Sequence, residues 1–195
     1  MPVTRPPQTT PGQRRRKLQA MAWLAIGQQA RAMQVMARML AHAPTDAWAL
    51  ASRAHLHAEA GRRTLAITDA QALVQAWPDR RAADWFNLGF LLEADDQLTA
   101  AEAAFRRALA LNDKLDRAWY GLGLTLIRLG RPDEAVPVLR RNTELQPMSP
   151  HGWYQLARLY ASCQRSDEAL KIIRHLRGFE PQVAAQLARE TGLPA

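Results

Sequence analysis

The chain of 195 residues is 48% apolar and 23% charged, so it can bury a core as one compact domain or one short array of repeats. It has no apolar run of the roughly 18 residues that a membrane-spanning helix requires, and its single cysteine, Cys163, excludes an intrachain disulfide and a cysteine zinc site. The net charge of +8 arises before Asp46, where seven of the 26 basic and none of the 18 acidic residues lie, so the nearly neutral remainder gives no argument for nucleic-acid binding.

The N-terminal segment divides into a tail and a basic stretch. Four prolines in residues 1–12 and the absence of apolar periodicity predict a disordered tail. The basic run of residues 14–17 and the short apolar stretch after it are compatible with a targeting signal or with the first helix of the folded body. Gln19 interrupts the apolar stretch, and Trp23 and Gly27 keep the spacing of the later repeats, so we favour the helix.

Five repeats follow the tail, and we place them at residues 13–46, 47–81, 82–115, 116–149 and 150–183. Three of them carry a tryptophan at the same position, with a spacing of 34 residues, at Trp85, Trp119 and Trp153. Apolar side chains at i, i+3, i+4 and i+7 predict two amphipathic α-helices in each repeat. Two such helices cannot bury both apolar stripes alone, whereas stacked repeats bury them in a continuous core.

Small residues recur at one position on each helix of the repeat, as Gly123 and Ala135 do in the fourth repeat. Small side chains there allow the paired helices to approach within about 8–10 Å. The sequence around Gly121 and Gly123 also suggests a nucleotide-binding loop, but a dinucleotide fingerprint requires a preceding strand and a third glycine at the position of Leu126. We therefore interpret Gly123 as a packing residue, and Gly130, between the two helices, as a turn residue with positive φ.

The shared positions resemble the tetratricopeptide repeat, whose pattern joins W-x2-L-G-x2-Y, A-x3-F and a closing proline. The fourth repeat matches this pattern at Trp119, Leu122, Gly123, Leu126, Ala135, Leu139 and Pro147. The third repeat has Asp113 in place of the closing proline, and one additional residue separates Pro78 from Trp85. The resemblance extends over residues 13–183 and implies an all-α fold, a right-handed α-solenoid of stacked helix-turn-helix repeats.

The first repeat and the C-terminal segment depart from the pattern. Arg16 and Gln19 replace the tryptophan and the leucine of the first repeat, which also contains four of the six methionines. This composition fits either a mobile basic repeat that binds an acidic partner or an anionic membrane surface, or a divergent capping repeat with a polar outer face. Residues 184–195 are predicted to form a short capping helix, which ends at Gly192, and a tail.

The resemblance implies a concave groove, lined by the first helices of successive repeats, that binds a peptide or a helix of another protein. We place this groove at residues beside the packing stripes: Lys17, His55, Phe86, Phe90, Glu93, Arg117, Tyr120, Leu124, Ile127, His151, Tyr154 and Arg158. Phe86, Tyr120 and Tyr154 recur at 34 residues and form either a ladder of rings in the groove or a set of packing residues between helices. A partner with apolar anchors and some acidic character would suit these aromatic and arginine side chains.

The sequence offers little for catalysis. His55 and His57 are two residues apart on one predicted helix, so they point to opposite sides and cannot chelate a metal together. No metalloprotease or paired-cysteine motif is present, and we expect no catalytic residues, cofactor or metal. We therefore predict a cytoplasmic, non-catalytic scaffold or adaptor whose partner is another protein rather than nucleic acid or a membrane.

Two other functions stay open at this point. The first is that of a bacterial secretion-type or assembly chaperone; the excess of arginine over lysine is typical of a GC-rich, bacterial source. The second is binding of RNA or an anionic surface through residues 14–17, which added salt would weaken steeply.

Overall fold

A computed structural model describes residues 10–194 of the chain, and all regular secondary structure of these residues is α-helical. The helices in chain order are α1 (Pro11–Ala25), α2 (Gln29–His42), α3 (Ala47–Glu59), α4 (Arg63–Ala76), α5 (Ala82–Ala94), α6 (Leu98–Leu111), α7 (Asp116–Arg128), α8 (Pro132–Leu145), α9 (Pro150–Ser162), α10 (Ser166–Arg177) and α11 (Pro181–Thr191). None of the helices in this described range combines the length and the hydropathy that a membrane span requires.

The chain divides into two compact units, Met1–Arg80 and Arg81–Ala195, which we call the N-terminal unit and the C-terminal unit. The division falls in the turn that has one residue more than its counterparts in the other repeats. Helix α1 begins inside the segment predicted as the tail, residues 1–12, and the first nine residues of that tail lie outside the described residues. Helix α11 begins three residues before the predicted capping segment, residues 184–195.

The N-terminal unit consists of the helix pairs α1–α2 and α3–α4, and α2 also packs against α3. The Oγ1 atom of Thr10 accepts a hydrogen bond from the backbone N–H of Gln13, whose side chain accepts one from the N–H of Thr10, so a capping box begins α1. The carboxylate of Asp46 accepts a hydrogen bond of 2.9 Å from the N–H of Ala49 and begins α3 in the same way. The least exposed core side chains, at most 1%, are small or contain sulfur: Ala20, Ala32, Met36, Met39, Ala49 and Ala66.

The C-terminal unit consists of the pairs α5–α6, α7–α8 and α9–α10, followed by α11. Within it, the first helix of a pair also packs against the second helix of the preceding pair, and α5, α7, α9 and α11 contact one another in that order. Its core contains large apolar side chains from both helices of each pair: Leu88, Phe105, Leu126, Leu139, Leu156, Tyr160, Ile173 and Leu187. The predicted all-α fold of stacked helix-turn-helix repeats is confirmed within each unit.

Two of the tryptophans that define the repeat connect a helix pair to the turn before it. The indole N–H of Trp119 donates a hydrogen bond of 2.7 Å to the carbonyl oxygen of Asp113, and that of Trp153 donates one of 2.9 Å to Pro147. Both indoles are half-buried, so the ring packs while its N–H satisfies a turn carbonyl. In both repeats six residues separate the tryptophan from the residue whose carbonyl oxygen it binds.

Two predicted glycine roles are confirmed. A Cβ atom at Gly123 would lie 2.5 Å from Cδ2 of Leu139, so only glycine allows the present distance between α7 and α8. Gly130, in the turn between these helices, has φ of +71°. The equivalent turn residue of the last repeat is Gln164, with φ of +59°, a conformation that disfavours a residue with a Cβ atom.

Candidate functional site

Ten of the twelve predicted groove residues lie on α5, α7 and α9, which contact one another in the C-terminal unit. These ten residues are Phe86, Phe90 and Glu93 on α5, Arg117, Tyr120, Leu124 and Ile127 on α7, and His151, Tyr154 and Arg158 on α9. We call the surface that they form the α5–α7–α9 face.

The α5 end of this face is aromatic. The ring of Phe86 lies 6.5 Å from that of Phe90 and 6.0 Å from that of the core residue Phe105, measured between centroids. The guanidinium carbon of Arg117 lies 5.1 Å from the centre of the Phe86 ring, within the range of a cation–π contact. Phe86 is therefore a half-buried packing residue, whereas Phe90 is 58% exposed and extends from the face. Within the described residues, the ring contacts of Phe86 do not include Tyr120.

Helix α7, which contacts α5, also carries apolar side chains among the predicted groove residues. Leu124 occupies on α7 the position that Phe90 occupies on the adjacent α5, because both follow the small residue of the repeat by one position. Leu124 and Ile127 are half-buried and three residues apart, so they share one side of the helix. Phe90, Leu124 and Ile127 thus present apolar side chains on two helices that contact each other.

The α9 end of the face is already occupied by a side chain of α11. The hydroxyl of Tyr154 donates a hydrogen bond of 2.6 Å to Glu190, and the guanidinium of Arg158 lies 3.8 Å from the same carboxylate. The hydrogen bond from Tyr154 lowers the pKa of Glu190, and the same bond raises the pKa of Tyr154, because it stabilises the carboxylate and the protonated phenol. Glu190 did not figure in the sequence prediction, which treated α11 only as a cap.

Glu93 connects α5 to α7. Its carboxylate accepts a hydrogen bond from the guanidinium of Arg128, which also donates a bond of 3.0 Å to the Glu93 carbonyl oxygen and one of 2.6 Å to the carboxylate of Asp96. The positive charge of Arg128 therefore offsets the charge of Glu93. We assign Glu93 a role in holding the two helices together rather than in recognising a basic ligand.

The other two predicted groove residues lie in the N-terminal unit. The ammonium of Lys17 lies 5.2 Å from the ring centre of Trp48. His55 is exposed, with its Nε2 atom 3.3 Å from the carboxylate of Glu59 one helical turn away. Lys17 is half-buried and its contact joins α1 to α3, whereas His55 pairs only within α3 and stays exposed.

The N-terminal unit also contains a buried polar cluster that the sequence did not reveal. Arg53 on α3 donates hydrogen bonds of 2.7 and 2.6 Å to the carboxylate of Asp69 on α4. His57, one turn after Arg53, has Nε2 4.0 Å from the same carboxylate, and its buried Nδ1 atom has no hydrogen-bond partner among the described residues. Burial lowers the pKa of His57, more than the nearby Asp69 raises it. His55 is exposed and His57 buried, which confirms that the two side chains point apart.

The described residues contain no cluster of His, Cys, Asp and Glu side chains that could hold a metal ion. The arrangement of the α5–α7–α9 face is apolar and cationic, with half-buried rings below one protruding ring. Such a surface can bind a segment with apolar side chains, because contact removes the apolar surfaces of the face and of the segment from water.

The helical repeats match known proteins over most of the chain. A family model described as anaphase-promoting complex, cyclosome, subunit 3 matches residues 94–176. The crystal structure of MamA is 21% identical and covers 89% of this chain and 96% of its own, with a TM-score of 0.76. YrrB, described as a TPR protein with an unusual peptide-binding site, is 20% identical over 87% of this chain and 88% of its own, with a TM-score of 0.78.

A third similar structure is TTC0263, a thermophilic TPR protein of Thermus thermophilus. It is 22% identical over 92% of this chain and 99% of its own, with a TM-score of 0.59. A comparison with curated protein sequences gave no match. At these identities the solved structures define the fold, and the chain has the fold of a tetratricopeptide repeat protein, which confirms the resemblance drawn from its repeated tryptophans and small residues.

Proposed function

We propose that the protein is a non-catalytic scaffold or adaptor that binds a peptide or helix of another protein on the α5–α7–α9 face. The observation that carries this proposal is the 58% exposure of Phe90 on α5, a helix that contacts α7, where Leu124 and Ile127 are half-buried. Large aromatic side chains that are exposed next to an apolar floor are typical of binding hot spots. The fold is consistent with this role, since YrrB, which shares it, is described as having a peptide-binding site.

The charges of the face favour a ligand with an acidic residue near its apolar anchors. Arg117 is exposed and lies over the ring of Phe86, which places its charge at the aromatic end of the face. Two other charged groups of the face already have a neighbour of opposite charge, because Glu93 is paired with Arg128 and Arg158 lies beside Glu190. Arg117 is therefore the cation that a ligand carboxylate would meet, and the apolar anchors would supply most of the affinity.

The test uses Phe90→Ser and a matched control, Met148→Ser. Both side chains are apolar and strongly exposed, at 58% and 68%, so neither substitution should disturb the fold. A partner is first isolated by affinity capture with the wild-type chain, and its dissociation constant is then measured by calorimetry with each variant. We expect Phe90→Ser to weaken binding at least tenfold, which corresponds to about 1.4 kcal/mol, and Met148→Ser to have no effect.

A second substitution separates charge from apolar contact. Arg117→Glu should weaken binding of the same partner, and the loss should be smaller at high salt, because salt screens an exposed charge pair. Equal affinities of the wild type, Phe90→Ser and Arg117→Glu would contradict the proposed face.

A further inference from the structure

Exposed apolar side chains among the described residues are concentrated on α1 and at Ile26, the residue directly after it. Six large apolar side chains of these residues are strongly exposed, and three of them lie within nine positions: Leu18 and Ile26 at 66% and Met21 at 47%. The other three, Leu65, Phe90 and Met148, are separated along the chain. A single exposed apolar residue is ordinary, whereas a cluster of them indicates an interaction surface.

The same helix carries only positive charge. Helix α1 contains Arg14, Arg15, Arg16 and Lys17 and no acidic residue, and α2 contains Arg31 and Arg38 and no acidic residue. Arg15, Leu18 and Ala22 are all exposed and follow one another at i, i+3 and i+7, so they form one stripe along α1. This stripe combines a cation with apolar surface.

Later repeats use the equivalent stripe to pack against a helix. Leu18 precedes the small residue of its repeat, Ala20, by two positions, as Gly121 precedes Gly123 on α7. A Cβ atom at Gly121 would lie 2.6 Å from the ring of Phe105, which belongs to the preceding helix α6. In the fourth repeat, the position equivalent to Leu18 therefore packs against the preceding helix.

The position equivalent to Arg15 in a later repeat also packs against the preceding helix. Gly152 on α9 is its equivalent, since each precedes the small residue of its helix by five positions. A Cβ atom at Gly152 would collide with the side chain amide oxygen of Asn142 on the preceding helix α8. The positions equivalent to Ala22 in α3, α7 and α9 are buried as well: Leu56, Thr125 and Leu159.

We propose that the stripe of Arg15, Leu18 and Ala22 binds an acidic amphipathic helix of a partner protein, which packs on α1 as the second helix of a preceding repeat would. The repeat fixes the register of this guest helix. In the later repeats, Phe105 packs at the position equivalent to Leu18, and Asn142 packs at the position equivalent to Arg15. Asn142 is equivalent to Ala108, so its place in the repeat is three residues after that of Phe105. The guest therefore runs antiparallel to α1, with an apolar residue against Leu18 and, three residues later, a carboxylate against Arg15.

This occupant explains features that a simple cap or a lipid surface does not. A cap with a polar outer face accounts for Arg15 but not for Leu18 and Ile26, which are both 66% exposed. On an anionic bilayer, the apolar side of an interfacial helix enters the acyl region and its cations lie on the other side. Here Arg15 lies on the same stripe as Leu18, where a carboxylate on a guest helix can pair with it.

The experiment measures binding of two synthetic helices to the full chain by fluorescence anisotropy. The first is a fluorescein-labelled, 16-residue peptide of alanine, leucine and glutamate in which glutamate follows each leucine by three positions. The second has lysine in place of every glutamate. The variants are Arg15→Glu and Leu18→Ser, both at exposed positions. Phe90→Ser reports binding at the α5–α7–α9 face, and Met148→Ser is the control for loss of an exposed apolar side chain. Thermal unfolding by circular dichroism verifies that each variant is folded.

We expect the acidic peptide to bind the wild type at least tenfold more tightly than the lysine peptide. Arg15→Glu should reverse this preference, Leu18→Ser should weaken binding about tenfold, and Met148→Ser should leave it unchanged. Weaker binding with Phe90→Ser but not with Leu18→Ser would place the peptide on the α5–α7–α9 face and overturn the proposal. Equal binding of both peptides, or no response to Arg15→Glu and Leu18→Ser, would overturn the proposal. It would also be overturned if the chain sedimented with phosphatidylglycerol vesicles but did not bind the acidic peptide, since the stripe would then contact lipid.

Discussion

The replacement of Gly123 by alanine sets two opposing effects against each other, and the structure decides between them. In an open helical position this change is stabilising by about 0.5–1 kcal/mol, because alanine loses less backbone entropy on folding. At Gly123, however, the new Cβ would lie 2.5 Å from Cδ2 and 2.7 Å from Cγ of Leu139. Leu139 is completely buried on the partner helix α8, so it has no space into which to move. Overpacking of this kind costs about 1–3 kcal/mol, so we expect a net loss.

The assay is urea denaturation followed by circular dichroism, with Gly12→Ala as the matched control. A Cβ atom at Gly12, in the first turn of α1, would meet only Oγ1 of Thr10 at 4.0 Å, so this change should not destabilise the chain. Gly123→Ala should lower the free energy of unfolding by about 1 kcal/mol, the overpacking cost less the helix gain.

A double substitution tests the cause. Leu139→Ala alone should destabilise by about 2–5 kcal/mol through the cavity it leaves, but in the Gly123→Ala background it also removes the collision, so the combined loss should be smaller than the sum. A Gly123→Ala chain as stable as the wild type would refute the packing argument for this glycine.

Three further predictions concern a turn, a buried histidine and the last helix. Gln164→Gly should stabilise the chain by up to about 1 kcal/mol, since Gln164 has φ of +59°, and Gly130→Gln should destabilise it by a similar amount in the same urea assay. Burial lowers the pKa of His57 below its ordinary value of 6.5, so the unfolded chain takes up a proton that the folded chain does not, and the free energy of unfolding should fall as the pH drops below about 6.5. Substitution of His57 by Gln should reduce that slope, and an unchanged slope would refute this assignment. Glu190→Gln should increase amide hydrogen exchange in α11, because it weakens the bond from Tyr154 and removes the charge beside Arg158; unchanged exchange would show that apolar packing alone holds α11.

The repeat made the fold predictable, because its signal is local and occurs five times. The recurring small residues and the i, i+3, i+4 and i+7 spacing identify the helices and their contact sides from one stretch of sequence each. Gly123 and Gly130 could be assigned opposite roles, packing and turn, since one lies within an apolar stripe and the other lies between two stripes. The turn with an additional residue before Trp85 was also visible, but only the structure relates it to the division into two units.

The polar contacts of the candidate site could not be predicted in this way. Arg53 and Asp69 are 16 residues apart on different helices, and Tyr154 and Glu190 are 36 apart, whereas sequence rules for charge pairs apply to neighbours within one helix. Whether these side chains contact each other depends on how each helix is rotated about its axis. The spacing of apolar residues along the sequence defines that rotation only approximately. The packing role of Gly121 stayed hidden because its position is not small in the neighbouring repeats, where Asn87 and Gln155 occupy it.

Methyl NMR of the chain, titrated with its captured partner, tests the central functional proposal most directly. Leu124 and Ile127 report on the α5–α7–α9 face, and Leu65, which is 48% exposed on α4, is a reference methyl in the other unit. We predict that the Leu124 and Ile127 resonances shift or broaden while those of Leu65 stay in place. Shifts at Leu65 together with unperturbed Leu124 and Ile127 would contradict the account.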